Sequence, residues 1–274
     1  MNMNEMISRY RFDSLVAYFT IMMFVYTTNS LADVRGTIIQ KDGGKVSGDL
    51  RWQPASKVYA LTRGNITTKI PLSRVASVQV KRPAELNGAA RKVRTRQYSA
   101  AIPVLEKIVK IYAMLQWDIE ATRWLAEAYL KTDDPQKCVA VCEKAMNGKF
   151  ASLVPDEMDN IYSAALLETE QYAKLKKILK RMIEQGGREQ AAAAQVMRGN
   201  IDMKKGNFRD ALLNGYLRTI VLFDHVKQVQ PEALFKAVRC FEELGKTSHA
   251  EKMRKKLLAG FPKSSYAKKI RSGW

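Results

Sequence analysis

Five times in this chain an aromatic or similar residue opens a helix-like stretch, at Tyr98, Pro135, Tyr172, Phe208 and Thr247, giving spacings of 37, 37, 36 and 39 residues. A period in the thirties with two helix-length apolar patterns per unit describes a solenoid, because one helix pair cannot bury its apolar face without a stacked neighbour. The helical patterns run over 84–95, 99–112, 119–131, 135–146, 155–168, 172–185, 189–204, 208–222, 231–244 and 247–259, with a capping helix over 265–271. Pro103 falls near the start of the second pattern, and the reading places it in the first turn, where a missing amide costs nothing.

Ahead of the helices the period changes to two. Val34, Gly36 and Ile38 form one face of a first strand, and Val46, Gly48, Leu50 and Trp52 that of a second. Strands over 58–63, 66–70 and 74–81 complete a set of five, with Gly64-Asn65 as a tight hairpin turn. That count resembles a small SH3-like or Sm-like barrel. So few residues make a thin core, so the module is expected to dock on the first helices through Trp52 or Tyr59. Lys81-Arg82-Pro83 ends the strands, and an acid at Glu85 suits the first turn of the helix that follows.

Residues 1–32 carry the three parts of an export signal: Arg9 and Arg11, an apolar run over 15–26, and small residues at Ser30 and Ala32 that set a cleavage point before Asp33. The alternative is an uncleaved membrane anchor over 14–32, a charge-free stretch of 19 residues. The resulting division is a signal peptide at 1–32, a small β-module at 33–82 and a helical array at 83–274. The protein is then exported, either periplasmic or secreted.

The fourth unit is the most regular. Gly199 precedes Gly206-Asn207-Phe208 by seven residues, and Ala211 follows. The second unit carries Leu125-Ala126 and Tyr129, and the fifth Gly245, Ala250 and Phe261-Pro262. This pattern resembles the tetratricopeptide repeat, in which small residues let the two helices of a unit approach, a glycine makes the turn and an alanine packs inward. The first and third units depart from it, with Arg96 in place of the turn glycine and Leu175 in place of the alanine. The resemblance implies a mainly α fold: a TPR-like α–α superhelical solenoid of about five helix pairs, preceded by the five-stranded β-barrel-like module. It also implies that first helices line a concave groove for a protein partner. The matching positions are Arg123, Glu127, Lys131, Asn160, Asn200, Lys204 and Arg239.

The charge is the compositional anomaly, at +19 from 46 Lys and Arg against 27 Asp and Glu. Lys174, Lys177 and Arg181 share one helical face, and Lys252, Lys255 and Lys256 repeat the effect. A basic face of this kind suits an anionic lipid surface or cell-wall polymer. Nucleic acid fits the charge but neither the export signal nor any reading motif. Three cysteines, Cys138, Cys142 and Cys240, cannot close a complete disulfide framework and are expected as buried small hydrophobes. His225 and His249 are the only histidines, and neither a metal-ligand spacing nor a nucleophile motif is present. The sequence therefore reads as a non-enzymatic scaffold without a cofactor, holding another protein in the groove or, alternatively, an anionic envelope surface on its basic face.

Overall fold

A computed structural model of the protein describes residues 33–148 and 151–273. The segment read as an export signal or anchor lies outside them. Among the described residues no helix is long and apolar enough to cross a membrane.

Five strands come first: β1 (Val34–Gln40), β2 (Lys45–Gln53), β3 (Val58–Arg63), β4 (Ile66–Pro71) and β5 (Val75–Val80). They form one antiparallel sheet in the order β4-β3-β2-β1-β5. Each strand pairs with the next until a 3₁₀ turn, Leu72–Arg74, sends β5 across to the far side of β1. The sheet therefore stays open between β4 and β5, which corrects the closed barrel expected from the strand count. Five short strands supply enough alternation for one buried face but do not dictate closure. The β3–β4 hairpin turns at Gly64-Asn65 as expected, with φ of 55° at Gly64.

The helical array supplies what the thin sheet lacks. Ile38, Leu50, Tyr59, Leu61 and Val75 pack in one cluster with Leu115, which lies in the turn at 112–116 between two helices of the array. The Tyr59 hydroxyl donates to the Met114 carbonyl at 2.8 Å, and the Trp117 indole N–H donates to the Val80 carbonyl at 3.0 Å. Arg82 pairs with Glu120 at 2.5 Å and lies over the Trp117 ring. Tyr59 does the docking expected of it. Trp52 packs on Tyr59, their ring centroids 4.9 Å apart.

The helices are α1 (Ala84–Arg94), α2 (Tyr98–Ile111), α3 (Trp117–Lys131), α4 (Pro135–Met146), α5 (Glu157–Glu168), α6 (Tyr172–Glu184) and α7 (Arg188–Lys204). The next, α8, spans 208–222 in three consecutive parts, Phe208–Asp210, a π-helical Ala211–Tyr216 and Leu217–Leu222. Then come α9 (Gln230–Glu243), α10 (Thr247–Gly260) and the capping α11 (Ser265–Arg271). Pairs α1/α2 to α9/α10 match the five units read from the period, so the fold is a tetratricopeptide-like helical repeat behind a sheet. Pro103 lies in the second turn of α2, because the helix starts at Tyr98. It is exposed, and only the bond to the Ser99 carbonyl is forfeited.

Packing between units is asymmetric. Successive first helices α1, α3, α5, α7 and α9 touch one another, and each second helix packs on the first helix that follows it. Second helices share no comparable packing with each other, so the first helices form the inner layer. One apolar core runs through the first three units and reaches Ala194 and Ile201 on α7. On its other side α7 turns Val196 into a separate cluster with Ala211, Tyr216, Ala233 and Cys240.

Candidate protein-binding face

The repeat spacing places Trp124 on α3, Ile161 on α5 and Met197 on α7, 37 and 36 residues apart. All three are half-buried and lie against the continuous core. Half-buried Ala164 and Ala193 lie on the same helices, and Lys236 continues the row on α9. The inner layer thus presents an apolar strip with polar flanks, which is how a groove takes an apolar segment while its edges hold the register.

Trp124 has the richest surroundings. The Arg123 guanidinium lies 4.0 Å and that of Arg94 5.4 Å from its ring centroid. The planar cations gain from the ring's negative face and keep their outward N–H groups for a carboxylate or carbonyl. The indole N–H is itself buried and has no hydrogen-bond partner among the described residues.

The residues expected on this face divide into two groups. Arg123 and Glu127 lie half-buried on α3, while Lys131, Asn160 and Arg239 are exposed on α3, α5 and α9. Asn200 and Lys204 are used internally. Asn200 is 7% exposed, accepting from the Tyr216 hydroxyl at 2.8 Å and donating to Glu232 at 3.2 Å. The Lys204 ammonium donates to the Leu167 carbonyl at 3.1 Å and to Glu168 at 3.0 Å, clamping the third unit to the fourth. No repeat motif marks Trp124, Ile161 or Met197. The period that located the helices would have found them, because equal positions in stacked units must share a face.

The basic residues divide similarly. Lys174 pairs with Glu143 at 2.7 Å, and Arg181 with Asp159 at 2.5 Å, each bridging back to an earlier helix. The Glu143 carboxyl is held below its usual range, first by Lys174 and then by the Tyr162 hydroxyl that donates to it at 2.8 Å. Lys177 is exposed on α6, as are Lys252, Lys255 and Lys256 on α10.

The thiols are buried and free of disulfides. The hydrogen bond with Cys138 and burial push the Cys142 thiol up, and burial pushes Cys240 up to about 11, so both stay protonated and unsuited to nucleophilic work. His225 is exposed beside Asp224, and His249 stacks on Phe241. Among the described residues no group of three His, Cys, Asp or Glu side chains is placed to hold a metal ion.

No protein-family model matches the sequence, and no curated protein matches it. Solved structures do. A Podosopora anserina protein described as a kinesin light chain with nearly identical TPR-like repeats aligns with a TM-score of 0.50 at 16% identity, over 64% of this chain and 92% of the other. MamA from AMB-1 aligns at 0.45 and 14% identity over 64% and 96%, and PilW, a type IV pilus biogenesis factor, at 0.41 and 17% over 68% and 96%. At 16% identity the likeness to the first of these extends to the fold alone, a stack of TPR-like helix pairs.

Proposed function

We propose that this chain is a non-enzymatic scaffold that holds a segment of another protein along its row of first helices. The observation that carries the reading is the half-buried strip of Trp124, Ile161 and Met197 at repeat spacing, with Arg94 and Arg123 bracketing its aromatic end. An apolar strip leaves a partner's side chains somewhere to shed water, and burial contributes about 25 cal/mol per Å² of apolar surface. Arg123, Glu127, Lys131, Asn160 and Arg239 then set register and orientation. The export signal read in residues 1–32 puts this scaffold in the periplasm or outside the cell, cut before Asp33.

A second reading assigns function to the basic end, where Lys252, Lys255 and Lys256 are exposed and no acidic residue occurs from 252 to 274. An anionic lipid surface or wall polymer would gain about 1 kcal/mol per basic residue near it. Site-specific photo-crosslinking in the source cells separates the two. A crosslinking side chain at Ala164 is expected to trap a discrete protein, and Trp124→Ala to abolish the adduct. Adducts from position 255 but none from 164 would overturn the groove reading.

A further inference from the structure

The outer side of the array carries a cleft that the inner row does not use. Second helices α6 and α8 both pack on α7 without comparable packing on each other, which leaves the outward side of α7 as the floor of a gap of about 580 Å³. That volume lies in the range of pockets that hold a small ligand or a few side chains. The gap has a structural cause. A Cβ on Gly215 would fall 2.3 Å from the Gly199 Cα, so α8 lies directly on the α7 backbone and is drawn toward it, away from α6. The same segment is π-helical, a geometry that recurs at functional sites.

The lining is apolar below and cationic above. Leu179 and Ile201 are buried in the floor, and Ile183, 37% exposed, forms a wall. Across from it Asn214 closes the gap. Lys176, Lys180 and Arg198 stand around the rim. Of the two carboxylates in the lining, Glu184 lies 3.8 Å from Lys180, while the Asp202 carboxyl is held above its usual range by burial and then by Asp210, with Lys205, Lys176 and Arg198 acting the other way. Neither Lys176 nor Arg198 forms an ion pair among the described residues. Cations therefore outnumber acids at a rim that surrounds an apolar hole.

From this arrangement we infer that the cleft between α6 and α8 is a second docking site, which takes a partner segment presenting an apolar side chain flanked by carboxylates. The hole removes the apolar side chain from water, and Lys176 and Arg198 meet the flanking acids, steering the segment in and rejecting basic ones. A polyanion without apolar groups would leave Ile183 uncovered, so charge alone does not describe the occupant. The site shares no lining residue with the inner row of Trp124, Ile161 and Met197.

The test uses the full chain and a random peptide library displayed on phage, with binders to the Lys176→Glu/Arg198→Glu double variant removed. The surviving peptides are expected to carry an apolar residue between acids. By fluorescence anisotropy they should bind the double variant at least about tenfold more weakly. Ile183→Asp should weaken them similarly and Trp124→Ala should leave them unchanged. Circular dichroism melting checks that each variant folds, and Ile183→Ser replaces Ile183→Asp if the latter does not. An empty selection, a neutral or basic consensus, or peptides that depend on Trp124 but not on the cleft residues would each overturn the inference. Loss of the inner-row reading alone would leave the cleft-dependent peptides intact.

Discussion

The first three helix pairs and the last two solve the same packing problem with different chemistry. Residues from Leu86 to Met182 share a single apolar core, in which Leu105, Leu125, Leu166 and Leu175 are almost fully buried. From α7 onward the apolar clusters are smaller and fully buried polar links join the helices. Gln195 donates to the Asn214 carbonyl, which serves the π-helical segment, and within α8 Thr219 donates back to the Gly215 carbonyl at 3.1 Å. Gln230 donates to the carbonyls of Thr219 and Phe223 at 3.1 and 2.8 Å. Asn200 links Tyr216 to Glu232, joining the fourth unit to the fifth. Apolar contacts tolerate small shifts, whereas satisfied buried polar groups hold one geometry and are costly when broken. The first region is therefore stabilised by volume and the second by specific geometry, and the outer cleft opens where they meet, at α7.

This contrast can be broken most forcefully in the first region. Leu166→Ala removes a fully buried side chain from the continuous core and is expected to destabilise the fold by about 2–5 kcal/mol in chemical denaturation. In the second region an addition should do what a deletion does in the first. Gly215→Ala would ordinarily favour a helix, yet its methyl group meets the Gly199 backbone, so a loss of about 1–3 kcal/mol is expected. Stabilisation by Gly215→Ala would show that the close approach is not maintained in solution.

Smaller still is Asn200→Ala, which leaves the Tyr216 hydroxyl and Glu232 without this partner and should cost about 1 kcal/mol. Replacing both ends, Asn200→Leu with Tyr216→Phe, should recover part of that loss, and a double-mutant cycle measures it. The smallest effect is on pH dependence. Lys174 and the Tyr162 hydroxyl hold the Glu143 carboxyl below its unfolded value of about 4.3. Its contribution is therefore fully present above that unfolded value and is lost as pH falls through the lower folded one. The side chain is 34% exposed, so solvent screening keeps the effect small. Glu143→Gln should flatten the acid limb of melting temperature against pH between about 5 and 3 while changing little at neutral pH.

Architecture was legible in the sequence because it is repetitive. Five openings at near-constant spacing fixed the pairs, and alternation over residues 34–80 fixed the strands to within a residue or two. Closure of the sheet was not legible, since it depends on whether β4 reaches β5 and no residue pattern encodes that. Nor was the π-helical turn of α8, which arises from two glycines brought together by folding, and from a glutamine 19 residues away that serves the carbonyl of Asn214. The same limit applies to the face. Asn200 and Lys204 occupy positions that point inward in each unit, but whether a polar group there meets solvent or the next helix is decided by the neighbouring unit. Trp124, Ile161 and Met197 could have been read, because apolar residues at equal repeat positions are visible in the spacing alone.

The proposed scaffold role rests on the inner row, and a salt titration of the trapped partner's affinity, run on the unaltered chain and on Trp124→Ala, tests it most directly. Groove packing predicts an affinity that changes little as salt rises well past the point where the Debye length falls below about 8 Å, and that collapses in Trp124→Ala. An affinity that falls steeply with salt, survives Trp124→Ala and disappears in Lys252→Glu/Lys255→Glu/Lys256→Glu would contradict it and assign binding to the basic end.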